Sequence, residues 1–62
     1  MSTEEARRLH IRTWRAKAAE LRTVADGMTN AHTQHLLRNA AANYARLADE
    51  TEERDRSERS AD

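Results

Sequence analysis

Between Leu36 and Ala48 the apolar residues fall at Leu36, Leu37, Ala40, Ala41, Tyr44, Leu47 and Ala48. Steps of three, four and seven put these on one side of an amphipathic helix, with Arg38, Asn39, Asn43, Arg46 and Asp49 on the other. An earlier series, Ile11, Trp14, Ala18, Leu21, Ala25 and Met28, alternates steps of three and four. That is a heptad seam, narrow and suited to one close helical partner. Leu9 lies outside it.

The boundaries of both helices are also written in the chain. Ser2-Thr3-Glu4-Glu5 has the form of a capping box, and two acids suit the positive end of the first helix. Gly27 follows the last regular turn, where a left-handed C-terminal residue is expected. Asn30 can accept from the backbone N–H of His32 or Thr33 as an N-cap. The expected helices therefore span about residues 3–26 and 31–54, and the short connection forces them antiparallel.

Pairing the stripes about this turn sets Leu21 against Leu36 and Leu37, and Ala18 against Ala40 and Ala41. Trp14 then faces Tyr44, and Ile11 faces Leu47. The fold class is all-α, a two-helix antiparallel hairpin, with residues 1–54 as the hairpin unit. Residues 55–62 are charged and have no apolar face to bury, so this tail is expected to be frayed or disordered.

Composition supports the helical reading, because Ala and Arg dominate, Pro is absent and Gly27 is the single glycine. No cysteine is present to form a disulfide. Eleven basic residues balance eleven acidic ones, which disfavours a wholly basic nucleic-acid binder. The signs are nevertheless segregated. Residues 7–22 carry six basic residues against Glu20 alone, while residues 46–62 carry four basic against seven acidic. An antiparallel hairpin lays these stretches side by side. No apolar run approaches a membrane span and the charged N-terminus does not resemble a secretory signal, so a cytoplasmic protein is expected.

Chemistry has little support. His32 and His35 stand one turn apart and could supply two metal ligands, but a third would have to come from Asp26, so no metal is expected. Neither a nucleophile with an orienting base nor an enclosed pocket is foreseen, and the chain is expected to have no catalytic residue and no cofactor. Arg8, Arg12, Arg15 and Arg22 fall along one line of the first helix. They are candidates for contact with phosphates or with an acidic partner.

The segments WRAKAAELRTVADGM (14–28) and LLRNAAANYARLADE (36–50) together resemble a group of short, largely uncharacterised bacterial helical-hairpin proteins. The resemblance covers about half the chain and consists of packing motifs, so it implies a hairpin and no activity. Asn30-Ala31-His32 stands where many of that group have an Asp-Pro-Glu-like helix start.

An isolated hairpin leaves one side of each helix wet, and Leu9, Val24, Leu36 and Ala48 lie at the edges of the seam. Self-association into a four-helix bundle, or docking on a larger protein, is therefore expected, with Leu36 and Ala41 shared across the contact. The function expected is a protein-interaction or regulatory module acting through apolar helix faces. The alternative is a nucleic-acid-associated factor using the arginine line.

Overall fold

The computed structural model describes residues 3–60. Two helices, α1 (Thr3–Asp26) and α2 (Ala31–Ser60), pack along their lengths as an antiparallel hairpin. The layer they form is one helix thick, with extents of 50 × 20 × 10 Å. The capping box expected at Ser2 lies outside the described residues.

The seam obeys the alternation of three and four on both helices. From α1 it takes Arg7, Ile11, Trp14, Ala18, Leu21 and Ala25, and from α2 Gln34, Leu37, Ala41, Tyr44, Ala48, Thr51 and Asp55. All of them are buried or half-buried. The fully covered residues among those described are four alanines: Ala18, Ala25, Ala41 and Ala48, each 2% exposed or less. On each helix the two alanines stand seven residues apart, so they recur at the same place on the seam. A methyl group there keeps little volume between the backbones, and helix separation follows the size of the side chains at the contact. The larger Ile11, Trp14, Leu21, Leu37 and Tyr44 lean along the margins and stay half-exposed.

This seam corrects the expected register at three places. Ala48, assigned to the edge, is fully covered, whereas Leu47, assigned opposite Ile11, is 43% exposed. Ala41 lies inside the hairpin and is not free to be shared with another subunit. The cause is the seven-residue step from Ala41 to Ala48, which turns Leu47 onto the flank and Leu36 onto the outside. Trp14 and Tyr44 are both half-buried seam residues, and the Trp14 ring contact is with His10, at 5.5 Å between centroids and 33° between planes.

The turn also differs from expectation. Asn30 Oδ1 accepts from the Thr33 N–H at 3.0 Å, as an N-cap should. Gly27, however, does not have a positive φ. The chain leaves α1 through Gly27 N–H to Val24 O (3.1 Å) and Met28 N–H to Ala25 O (3.0 Å), bonds that tighten the last turn without a left-handed residue. Gln34 then closes the end from the facing helix. Its Nε2 donates to Ala25 O at 3.1 Å and to Met28 O at 2.7 Å.

Helix α2 runs six residues past the expected boundary at Arg54, to Ser60. Intrahelical and interhelical ion pairs take the place of an apolar face over this stretch, as described below.

Two substitutions test this packing. Ala41→Leu overfills the seam and should cost about 1–3 kcal/mol in denaturant unfolding, while Ala42→Leu on the exposed surface should stay within about 0.5 kcal/mol. Equal effects would mean that Ala41 is not in a tight contact. At the turn, a Cβ on Gly27 would meet Val24 O at 3.6 Å, an ordinary contact. Gly27→Ala should therefore leave the melting temperature unchanged or raise stability by up to about 1 kcal/mol.

Candidate interaction faces

An antiparallel seam is flanked on each side by one line of residues from each helix, and like flanks meet like. On the first side, Arg8, Arg15 and Arg22 follow the seam residues Arg7, Trp14 and Leu21. They run beside Arg38, Ala45, Glu52 and Arg59 of α2. This side is closed by charge. Arg15 reaches Asp49 at 3.1 Å and also Glu52. Near the turn Arg38 donates to Asp26 at 3.2 Å.

The open end of the hairpin is built the same way, but inside the seam. Arg7 and Asp55 occupy seam positions with side chains 25% and 15% exposed, and their charged atoms are 3.5 Å apart. Arg7 also forms a two-pronged pair with Glu58, while Arg59 joins Glu4 and, at 3.1 Å, Asp55. The bond from Arg7 holds the Glu58 carboxyl below the usual carboxylate range, assisted by the charges of Arg7 and Arg54 and opposed by desolvation. The same contact raises Arg7, and the bonds Arg15 donates to Glu52 and Asp49 raise Arg15, each against some desolvation.

The arginine line singled out in the sequence is thus partly occupied by this chain's own acids. Arg8 donates to Glu4 at 2.8 Å and Arg15 is held between two carboxylates. Among the described residues, Arg12 and Arg22 have no acidic partner at ion-pair distance. Arg22 lines a shallow hollow with Asp26, Arg38 and Ala42.

The second side has a different character. His10, Lys17 and Val24 precede the seam residues Ile11, Ala18 and Ala25, and they run beside Thr33, Ala40, Leu47 and Arg54. Val24 is 41% and Leu47 43% exposed, with Leu36, 54% exposed, one step further round α2. The half-exposed edges of Trp14, Leu21, Leu37 and Tyr44 border the same strip. Of the interaction residues foreseen in the sequence, Val24 and Leu36 come together here. Leu9 falls on the outer surface of α1 opposite the seam, and Ala41 is enclosed. Leu47 belongs to this side and was missed, because its spacing from Leu36, Leu37 and Ala40 fits the seam equally well.

His35 Nε2 lies 3.3 Å from Asn39 Nδ2, and no group of three or more His, Cys, Asp or Glu converges as a ligand set among the described residues. Nor is any helix among them long and apolar enough to cross a membrane. The architecture defines the chain as an antiparallel helical hairpin, with interhelical ion pairs along one side and three exposed apolar side chains, Val24, Leu36 and Leu47, on the other. Compared with protein-family models, curated proteins and solved structures, it matches none.

The open-end pairs generate a pH dependence. Because the folded Glu58 carboxyl titrates below its unfolded counterpart, its contribution is present above the unfolded pKa. It is lost as pH falls through the lower folded value. Amide protection over residues 55–60, taken relative to the intrinsic exchange rate at each pH, should fall as the solution is acidified through the usual carboxylate range, ahead of the residues near the turn. Glu58→Gln should lower protection there at neutral pH and weaken the acid response; an unchanged protection profile would remove Glu58 from the clamp.

Proposed function

We infer that the chain is a non-catalytic protein-interaction or regulatory module that works through the apolar side of the hairpin. The observation that carries this reading is the asymmetry of the two flanks. Ion pairs between the two helices cross one of them, whereas on the other Val24, Leu36 and Leu47 face water, interspersed with His10, Lys17 and Arg54 and crossed by none of the helix-to-helix ion pairs among the described residues. Burying a Val or Leu side chain fully contributes about 1.5–3 kcal/mol, so such a strip rewards a partner. The reading takes the bacterial cytoplasm as its setting, from the sequence resemblance and the composition.

A nucleic-acid-associated role is the second reading, favoured by Arg12 and Arg22, which lack acidic partners among the described residues. The occupation of Arg8 and Arg15 by Glu4, Asp49 and Glu52 counts against it, as does the neutral overall charge.

The two readings separate in an affinity capture from extract of the source cells, run with and without nuclease. The module reading expects protein capture that resists nuclease and high salt and is lost in Leu36→Glu. Capture of nucleic acid that leaves at high salt, unaffected by Leu36→Glu but lost in Arg12→Glu/Arg22→Glu, would favour the second.

A further inference from the structure

We propose that the partner covering the apolar side is a second copy of this chain, packed layer on layer into a two-fold four-helix bundle. The proposal rests on the interaction reading above and names its occupant. Surface area supports it first. A compact monomer of 7.1 kDa should expose roughly 4,100 Å², whereas the hairpin exposes 4787 Å². The surplus of roughly 700 Å² is spread over the whole elongated layer and makes the hairpin less compact than a monomer of its mass; stacking two layers face to face removes surface of this kind, and a standard interface takes roughly 800 Å² from each partner.

Shape is the second support. The strip extends along a layer only one helix thick, from Val24 and Leu36 near the turn to Trp14 and Leu47 towards the open end. A matching surface must be two helices wide, flat and equally long, and another copy presents that surface in a self-complementary two-fold contact, the commonest closed symmetry.

Charge is the third. This side carries both signs, Lys17 and Arg54 within it and Glu20 and Glu50 beside them, and the chain has no net charge, so two copies meet no net like-charge field. Leu9, on the outside of α1, is left free in this arrangement.

Sedimentation equilibrium of the full chain from low to high micromolar concentration tests the proposal. The expected result is a species of twice the 7.1 kDa chain mass at the upper end of that range. Leu47→Glu and Val24→Glu should shift it to monomer, while Leu9→Glu leaves the dimer intact. Should a variant unfold, the unmodified protein still answers, because its melting temperature must rise with concentration if folding and association are linked. A monomer at high micromolar concentration with a constant melting temperature would overturn the proposal. So would a dimer that survives both strip substitutions and is lost in Leu9→Glu. If the protein is monomeric and Leu36→Glu still abolishes capture of a different protein, self-association fails while the module reading stands.

Discussion

Four methyl groups set the distance between the helices, and much else follows from that distance. With Ala18 and Ala25 on one helix and Ala41 and Ala48 on the other, the backbones can approach closely from the turn to the middle of the seam. Close approach has a cost in burial: a seam lined with alanine covers little apolar area, and the larger side chains are pushed to its margins. The hairpin therefore contains a tight contact without a large core. Its stability must draw on features outside the seam, either ion pairs along the flank or surface that a neighbour can cover.

The charges are distributed to suit this arrangement. The stretch rich in Arg on α1 lies beside the acidic stretch of α2, and Arg15 and Arg7 each reach two carboxylates across the interface. Exposed pairs of this kind contribute modestly one at a time and are weakened by salt. Asp55 is more enclosed than the others and shares its carboxylate between Arg7 and Arg59, so it ties the two helix ends into one network. The contact between the helices changes along the hairpin for this reason, from alanine packing between the turn and the middle to a network dominated by ion pairs at the open end.

Much of this was legible in the chain. The class, the antiparallel order, the start of α2 at Ala31 behind the Asn30 cap and the end of α1 at Asp26 follow from local rules that need no tertiary information. The choice between Leu47 and Ala48 did not. Both fit helical periodicity, and hydrophobicity favours Leu, but a close seam selects the smaller residue and rotates the larger one outward. The far end of α2 was missed for a related reason. Its seam positions hold Thr51 and Asp55, so a search for apolar residues loses the heptad where polar ones continue it. Of the interaction residues expected, Val24 and Leu36 share a side, while Leu9 and Ala41 needed the true rotation of each helix to be placed.

The turn has a wider consequence. A hairpin whose only glycine sits at the end of its first helix invites the view that glycine makes the bend, yet Gly27 has no conformation that another residue could not adopt. The work is divided between Asn30, which receives the Thr33 N–H, and Gln34, whose amide holds the departing carbonyls of Ala25 and Met28. The signature of this corner is therefore a pair of carboxamides four residues apart. Other chains that bend the same way are to be sought by an Asn and a Gln at that interval, with any small residue in the place of the glycine.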